Sequence, residues 1–358
     1  MRIQIKPPDS GIALIMVMLV TVALAILAAG FAYTMKVETK LARNASVDTD
    51  MEWMGHSGIE LAKYILAEEG NTPRGGQVDS LKQYWAGGMG ETNSPLVQLV
   101  FPWKLGVGEI DRPTITDCES KFNINAANEV ILRQALNLIG VDAGSFPTIV
   151  DSILDWQDQD DRPRMAGSES DFYQRLTPPY FAKDGPLDDL SELLLVNGVT
   201  PEIYWGSAAV GHTAMLNKPK ASRSRFDEPI YEIGLKDLFS AIPGASRQVN
   251  INTALAKVLQ MVPEIDENIA NAIIEARQQQ GPDGQPGQPF HSVQELGGRV
   301  PAFANPNALQ ILGQYFTVRS SWFEVKVTVR AGGTSRTYVG LLHRASPRDI
   351  QVMSMYWK

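Results

Sequence analysis

The stretch GIALIMVMLVTVALAILAAGFAYTM, residues 11–35, contains no charged residue. It is long enough to cross a bilayer core roughly 30 Å thick as one helix. Beyond it, apolar and small residues continue at intervals of three or four, which is the spacing of a helical face. These positions are Val37, Leu41, Ala45, Met51, Met54, Gly58, Leu61 and Ile65. We therefore predict one helix over residues 12–68, roughly 80 Å long, whose first half lies in lipid and whose second half packs on another apolar surface.

The residues before this stretch indicate how it is oriented in the membrane. Arg2 and Lys6 outnumber Asp9, and an excess of positive charge before a span favours a cytoplasmic N-terminus. The rest of the chain should then lie outside the cytoplasm. The alternative is a secretory signal cleaved at the small residues 28–30, although the apolar run exceeds the roughly 7–15 residues usual for such a signal.

The leader ends in Ser10 and Gly11 directly before the apolar helix. In this it resembles the class III signal of type IV pilins and pseudopilins. The resemblance implies that a prepilin peptidase removes residues 1–11 by cutting between Gly11 and Ile12, that the new N-terminus is methylated, and that the helix is retained. Most pilins carry a Glu at the fifth mature position, where this chain has Met16. Within the resemblance, that absence is typical of the minor pseudopilin K of type II secretion systems.

The composition excludes several classes of protein. A net charge of −8 argues against a general nucleic-acid binder, which would carry a basic surface. The single cysteine, Cys118, excludes a framework of intrachain disulfides. The four histidines are scattered and form no zinc motif with cysteine. They are His56, His212, His291 and His343.

Alternating apolar patterns near both ends of the body predict β-strands. They lie at Pro95–Leu105, Gly108–Cys118, Phe316–Arg330, Arg336–His343 and Ile350–Trp357. Because the segment between them has helical character, we predict an α+β fold in which a large all-α domain is inserted into one antiparallel sheet. The predicted domains are the leader 1–11, the long helix 12–68, the first part of the sheet domain 69–120, the α-domain 121–315 and the second part of the sheet domain 316–358.

The predicted α-domain contains an internal repeat, which chance rarely produces with two spaced motifs in one order. Phe122–Ala126 (FNINA) recurs as Val249–Thr253 (VNINT), and Pro186–Leu193 matches Pro289–Leu296 in the pattern P-[LF]-x-x-[LV]-x-E-L. Each copy predicts a helix, a turn, a helix, a loop and a further helix. Asn125 and Asn252 are predicted to be N-caps, and most of these residues are predicted to be caps and core rather than contacts for a partner.

The second copy resembles the helix-hairpin-helix modules of competence and repair proteins. In those modules a Gly-rich hairpin offers backbone amides to DNA phosphate. The corresponding turn here is Val262–Asp266, and it contains Glu264 and Asp266 where glycines are expected. Acidic residues repel phosphate, so we predict that DNA is not bound. A membrane-anchored protein that binds DNA during uptake remains an alternative.

The first copy is longer than the second and includes an acidic segment. Asp151, Asp155 and Asp158 fall at i, i+4 and i+7 near the end of a helix, where they repel one another and oppose the helix dipole. A bound cation would reverse that penalty. Carboxylates without Cys or His select calcium over zinc. The predicted ligands are Asp155, Asp158, Asp160, Asp161, Glu169 and Asp171.

The spacing of these acids is not that of a standard EF-hand. Glu169 stands twelfth when Asp158 is counted first, as an EF-hand requires, but Arg162 and Pro163 occupy the fifth and sixth positions, where an acid and Gly belong. The alternative to calcium is a solvated acidic loop. In that case the counter-charges would come from Arg162, Arg164 and Arg175.

Several segments of the body, together with the leader, resemble the minor pseudopilin K family of type II secretion systems. They are Asp117–Asn125, Leu154–Asp160, Glu169–Tyr173, Pro178–Tyr180, Leu190–Leu193 and the second NIN motif, Asn250–Asn252. The resemblance implies a type IV pilin-like fold, with a helix on an antiparallel sheet, and bound calcium. It also implies a structural role in secretion across the outer membrane, at the tip of a periplasmic pseudopilus, with a single-pass anchor in the inner membrane.

The same resemblance implies partners. They would be the minor pseudopilins I and J, then pseudopilin H, the major pseudopilin G and the prepilin peptidase. A helix that is apolar on one face needs a partner, so contact with I and J is expected to use that face of the long helix. The predicted interface residues are Val37, Leu41, Met51, Met54 and Leu61.

An enzyme is the competing class, because paired acids can act as general acid and base and calcium-dependent hydrolases exist. The sequence contains no G-x-S-x-G, no P-loop and no H-E-x-x-H motif. We therefore predict that the protein is not an enzyme.

Overall fold

The computed structural model describes residues 10–72, 76–90, 94–106, 108–208, 231–244, 246–278, 288–304 and 306–358. The basic leader residues Arg2 and Lys6, as well as His212, lie outside this part of the chain. The helices are α1 Ser10–Asn71, α2 Glu129–Ile139, α3 Phe146–Gln157, α4 Ser170–Tyr173, α5 Pro201–Trp205, α6 Leu235–Leu238, α7 Ala256–Leu259, α8 Glu267–Gln278, α9 Leu296–Arg299 and α10 Pro306–Leu312. The strands are β1 Trp103–Leu105, β2 Gly108–Ile110, β3 Thr114–Asp117, β4 Phe122–Asn123, β5 Phe239–Ser240, β6 Val249–Asn250, β7 Phe316–Thr317, β8 Trp322–Ala331, β9 Thr334–Ser346 and β10 Asp349–Trp357.

Helix α1 is the single long helix that the sequence predicts. It contains 62 residues, about 93 Å at 1.5 Å per residue. Every side chain from Ala13 to Ser46 is exposed, whereas Met51, Ile59 and Leu66 are buried. By length and composition this is a helix that could cross a membrane, and it is the one such helix in the described residues.

One antiparallel sheet combines strands from both ends of the body, as predicted. Its strand order is β1-β2-β8-β9-β10, and β3 pairs with β8 beside β2. In β8 the alternating residues Phe323, Val325, Val327 and Val329 are all buried. The α+β fold with a helical insertion is thus confirmed, whereas the predicted domain boundaries at 68, 120 and 315 stay predictions.

Three of the predicted strands are wrong in extent. Phe316–Arg330 is divided into β7 and β8, which belong to different sheets, and proline is the reason in the other two. Within Pro95–Leu105 the chain begins with a 3-10 turn, because Pro95 takes the first helical position and the Ser94 hydroxyl accepts from the Leu96 amide. Only Trp103–Leu105 is a strand. The predicted strand Gly108–Cys118 is interrupted before Thr114 because Pro113 has no N–H for the ladder.

The described part of the chain divides into two compact units by its contacts. The first contains α1 up to Gly58, Phe101–Arg112 and Val327–Thr337. Within it, the helix approaches the sheet through glycine: a Cβ on Gly58 would lie 2.3 Å from Val327 Cγ1. Because no side chain fits there, Gly58 sets how closely the helix packs.

Substituting Gly58 with alanine tests this packing. We expect Gly58→Ala to lower the free energy of unfolding by about 1–2 kcal/mol, because overpacking exceeds the gain in helix propensity. The double variant Gly58→Ala/Val327→Ala should recover about 1 kcal/mol relative to the sum of the single variants. The measurement is denaturant unfolding of the detergent-extracted chain, and simple additivity would contradict the contact.

The second unit contains the rest of α1, β3, the helical insertion and β9–β10 from Tyr338 onward. The two copies of the repeat lie in it, and each copy closes with a short parallel strand pair. Strand β4 pairs with β5, and β6 pairs with β7. The helices between these strands share one hydrophobic core, which includes Phe122, Phe239, Val249 and Phe316.

The two repeat motifs bind each other in both copies. The Asn252 amide donates to the Phe290 carbonyl at 2.9 Å and accepts from the Phe290 amide at 2.8 Å. Asn125 makes the same pair with Leu187, at 2.9 and 2.7 Å. The prediction that Asn125 and Asn252 are N-caps is therefore wrong. The cap of α2 is Asn128 instead. The side chain of the second Asn in each NIN motif is already used, because it hydrogen-bonds to the backbone of the P-[LF] motif.

A buried polar cluster joins β3 to the second repeat. The Asp117 carboxylate accepts from Thr253 and Ser320 at 2.6 and 2.7 Å. Arg344 pairs with Asp79, and both side chains are almost fully buried. Burial raises the pKa of Asp117 to about 6. These contacts fix the start of the second repeat relative to the neighbouring strand.

Candidate metal centre

The acidic segment begins where α3 ends. Asp158 is the C-cap residue of α3, and the chain then runs through an irregular loop to α4. Tyr173 of α4 stacks on Tyr180 with ring centroids 5.2 Å apart and meets Trp156 of α3 edge-on at 5.2 Å. This aromatic group brings the chain after α4 back toward the end of α3, and Asp184 with it.

The fold gathers five carboxylates into two overlapping groups. One group is Asp158, Asp160 and Glu169; the other is Asp161, Glu169 and Asp184. In each group, one oxygen from every residue lies within 4.8 Å of the others. Glu169 belongs to both groups, so it is the centre of the cluster.

Several buried oxygens of this cluster lack hydrogen-bond partners within the described part of the chain, whereas Asp158 Oδ2 pairs with Arg164 at 3.2 Å and Asp160 Oδ1 accepts from the Arg162 amide at 2.9 Å. Glu169 is 4% exposed, and neither of its carboxylate oxygens has a hydrogen-bond partner there. The same holds for one buried oxygen each of Asp158 and Asp184. Burial of unpaired carboxylates is costly, and oxygen-only ligands are the set that calcium prefers. These residues therefore fit a hard divalent cation.

The electrostatics of the cluster also favour a bound cation. Burial raises the pKa of Glu169 to about 7, and the charges of Asp155 and Asp158 add to the effect. Burial, together with Asp161 and Asp158, also raises the pKa of Asp184. Each shift means that the cluster disfavours its own negative charge. A cation bound there would compensate for that charge.

Two of the six predicted ligands lie outside both groups. Asp155 is fully buried and accepts from the Arg164 amide at 3.1 Å, while Arg164 Nε lies 3.3 Å from its carboxylate. A Cβ on Gly167 would lie 1.9 Å from Asp155 Oδ2, so the loop closes directly over this carboxylate. Asp155 thus orders the loop. Asp171 is exposed in the first turn of α4.

Asp184 is the residue that the sequence prediction missed. It lies 15 positions after Glu169 and has a left-handed backbone, with φ 52°. The available signal was the Asp184–Gly185 dipeptide, which is typical of a turn. Without the aromatic contacts of Tyr173, nothing in the sequence places that turn beside Glu169.

The predicted partner interface on α1 is only partly available. Val37 is 39% exposed and Leu41 62% exposed, and Leu61 is half-buried. Met51 and Met54, by contrast, are at most 3% exposed, because they belong to the core that α1 forms with the chain's own sheet. The prediction that these two methionines contact a partner is corrected to a core role.

The hairpin of the second repeat has acidic residues at its turn. Glu264 adopts φ 70°, the conformation that glycine usually supplies. Asp266 accepts from the Ile269 amide at 2.8 Å and so caps α8. The shape of a helix-hairpin-helix turn is therefore present, but carboxylates replace the glycines beside the α8 N-terminus.

Comparison with known proteins finds similarity to one family. The family model for type II secretion system protein K matches residues 116–206. Protein K of Pseudomonas aeruginosa is 25% identical over 97% of this chain and 92% of its own length. The chain is thus similar to the type II secretion system protein K family, in the family model over residues 116–206 and in the Pseudomonas aeruginosa protein along nearly its full length.

Other relatives of the K family cover less of the chain. The putative protein K of Escherichia coli K12 is 30% identical over 54% of this chain and 59% of its own length. Protein K of Pectobacterium carotovorum is 24% identical over 67% of this chain and 67% of its own length. The chain thus spans about three fifths of the length of the first of these relatives and two thirds of the second.

Two further matches concern structure. A chain in the GspK–GspI–GspJ complex of enterotoxigenic E. coli has the same fold, with a TM-score of 0.64 and 20% identity over 88% of this chain and 99% of that chain. A helix-hairpin-helix model matches residues 244–301, which contain the acidic turn. The resemblances to the K family and to the helix-hairpin-helix module are confirmed, and the carboxylate cluster lies within the segment that the K family model covers.

Proposed function

We propose that this chain is a minor pseudopilin of the K family with a structural role in type II secretion. The observation that carries the proposal is α1: its apolar part up to Met35 is exposed, while its second half packs into the body of the chain. A helix with that division anchors a folded body to a membrane. The orientation that the leader charges favour would put the body in the periplasm and the anchor in the inner membrane.

We also propose that the chain is processed as a pseudopilin and stands at the tip of the pseudopilus. Cleavage between Gly11 and Ile12 would leave the apolar helix at the mature N-terminus, where it would be methylated. Met16 leaves that segment without an acid, and a carboxylate in lipid is costly unless it has a partner. A subunit with no neighbour above it has no amine to pair with, so the absence of the acid suits a tip position.

The partners that suit this role are the minor pseudopilins I and J, then H and the major pseudopilin G. The solved complex of GspK with GspI and GspJ, one chain of which shares this fold, supports I and J. Of the exposed residues on α1, Val37 and Leu41 lie on one face just beyond the apolar span. We propose that this face packs against the helices of I and J.

Copurification tests the proposal. The full-length chain, coexpressed with I and J of its own system, is expected to copurify with both after detergent extraction. Leu41→Asp should reduce recovery of I and J at least tenfold, because a charge replaces an apolar contact. Thr39→Asp, on the opposite face of the same helix turn, should leave recovery unchanged. Failure of the unmodified chain to bind either protein, or equal effects of the two variants, would refute the assignment.

We further propose that the carboxylate cluster binds calcium. Asp158, Asp160 and Glu169 would hold one ion, and Asp161 and Asp184 could complete a second position around the shared Glu169. Bound calcium would supply positive charge that joins the end of α3, the loop and the segment after α4. The role of calcium here would be structural, since the sequence lacks the enzyme motifs considered above and the K family is one of pseudopilins.

DNA binding is the second candidate because of the helix-hairpin-helix match at residues 244–301. Glu264 and Asp266 at the hairpin oppose it by repelling phosphate. Fluorescence anisotropy with a labelled DNA duplex at low salt is the direct test. We expect no saturable binding, whereas binding that weakens steeply with salt would revive this candidate.

A further inference from the structure

A small cavity lies at the C-terminal end of α8, the end opposite the acidic hairpin. Its volume is about 130 Å³, and its lining includes Ser80, Lys82, Asn252 and Arg277. At roughly 30 Å³ per water, that volume holds about four waters. It suits a compact group.

Arg277 is the feature that makes this cavity unusual. Its side chain is 6% exposed, and its Nη1 donates to the Ile251 carbonyl at 2.6 Å. A guanidinium has five N–H donors, and no carboxylate pairs with this one within the described part of the chain. Burial lowers the pKa of Arg277 to about 10, the sign of a buried positive charge without a counter-ion.

Two more cations lie in this neighbourhood. Lys82 lines the cavity, and its pKa is lowered by burial and by the charge of Arg299. Arg299 donates to the Gln288 carbonyl at 2.8 Å and to the carbonyl of Pro289, a residue that lines the cavity, at 3.4 Å. The one acid that pairs with Arg299 among the described residues is Glu295, at 3.5 Å.

A structural role explains only part of this arrangement. The negative end of the α8 dipole lies near Arg277 and stabilises its charge, and the Ile251 carbonyl uses one donor. Arg277 also lines the cavity, so its remaining N–H groups are open to an acceptor there. A planar guanidinium with free donors is the group that best matches carboxylate and phosphate oxygens.

We propose that this cavity binds a compact oxyanion from outside the chain, a carboxylate or a phosphate-type group, with Arg277 as its principal ligand and Lys82 as a second charge. The site is separate from the carboxylate cluster and does not depend on the secretion role. It also differs from the phosphate contact of helix-hairpin-helix proteins, which uses the hairpin at the other end of α8.

Equilibrium dialysis of the detergent-extracted, full-length protein against radiolabelled sulfate tests the site at constant ionic strength. We expect saturable binding of about one sulfate per chain. Arg277→Met should weaken it at least tenfold, and Lys82→Met should weaken it by a smaller factor. Arg133→Met is the matched control, since Arg133 is exposed and pairs with Glu129, and should bind sulfate normally. Absence of saturable binding to the unmodified chain, or equal binding by Arg277→Met, would overturn the proposal.

Further variants keep the test decisive. Arg277→Lys retains the charge and should retain part of the sulfate binding. If Arg277→Met fails to fold, sulfate binding by Lys82→Met is compared with binding by the unmodified chain. Displacement of sulfate by N-acetylaspartate amide would identify a protein carboxylate as the natural ligand, and displacement by inorganic phosphate alone would identify a free anion. If sulfate binds to Asp283→Asn but not to the unmodified chain, a carboxylate of the chain itself occupies the cavity and the proposal fails. Asp283 lies outside the described residues.

Discussion

Removal of calcium from the full-length protein is expected to lower its free energy of unfolding by about 4 kcal/mol, the stabilisation that a ligand gives at a thousand times its Kd. The physical reason is Glu169, which is 4% exposed and has two unpaired carboxylate oxygens. Without a cation, the buried Glu169 carboxylate lies close to four other carboxylates, of which Asp160 and Asp161 are exposed. The measurement is denaturant unfolding with excess calcium and with a chelator.

A pair of neighbouring variants separates a specific site from general charge effects. Glu169→Gln should abolish most of the calcium-dependent stabilisation, because Glu169 belongs to both carboxylate groups. Asp171→Asn removes the same charge two residues away, from an exposed side chain outside both groups, and should leave the effect intact. In chelator, Glu169→Gln should be more stable than the unmodified protein, since it removes an uncompensated buried charge. Equal responses of the two variants to calcium would contradict the site.

The pH dependence follows from the same residue. Burial raises the pKa of Glu169 to about 7 from an ordinary value of 4.5, so protons compete with calcium below pH 7 and calcium affinity should fall between pH 8 and pH 6. Without calcium, the folded state binds this proton more tightly than the unfolded state. The contribution of Glu169 to stability is then fully present below pH 4.5 and is lost as the pH rises through 7. Calorimetric titration of calcium at several pH values measures the first effect.

Replacing Asn252 with aspartate is the second change with a large expected effect. Asn252 is 2% exposed and both donates to and accepts from the backbone of Phe290. Aspartate would place an unpaired charged oxygen against the Phe290 carbonyl. We expect a loss of about 3–5 kcal/mol in the free energy of unfolding, which is typical of an uncompensated buried charge.

Two other Asn→Asp substitutions serve as controls for this prediction. Asn125→Asp alters the equivalent pair in the first repeat, where the side chain is half-buried, and should cost about 1–3 kcal/mol. Asn137→Asp lies on the exposed face of α2 and should change stability by less than about 0.5 kcal/mol. Denaturant unfolding measures all three. A neutral Asn252→Asp would show that the amide pair does not hold the two motifs together.

The sequence predicted those parts of the fold that depend on local periodicity. The run of apolar residues predicted α1, and the alternation of Phe323, Val325, Val327 and Val329 predicted β8, because a period of 3.6 or 2 is written directly in neighbouring residues. The internal repeat predicted two related helical units, because its two motifs recur in the same order along the sequence. The extents of β1 and β3 were wrong because Pro95 and Pro113 overrode an alternating pattern.

The site depends on contacts that local patterns do not contain. Four predicted ligands, Asp158, Asp160, Asp161 and Glu169, lie in the cluster because they are close in sequence. Asp184 reaches it only through the packing of Tyr173, Tyr180 and Trp156, which a single sequence does not show. Likewise, the periodicity of α1 marked Met51 and Met54 as apolar-face residues but could not distinguish the chain's own sheet from a partner.

The most direct test of the pseudopilin assignment is the mass and N-terminal sequence of the membrane-extracted protein, expressed with and without a prepilin peptidase. We predict a mature, methylated N-terminus at Ile12 that forms only when the peptidase is present, with α1 retained. A mature chain that begins near Gly30 or Phe31 would contradict it, because the membrane anchor would have been removed as a secretory signal.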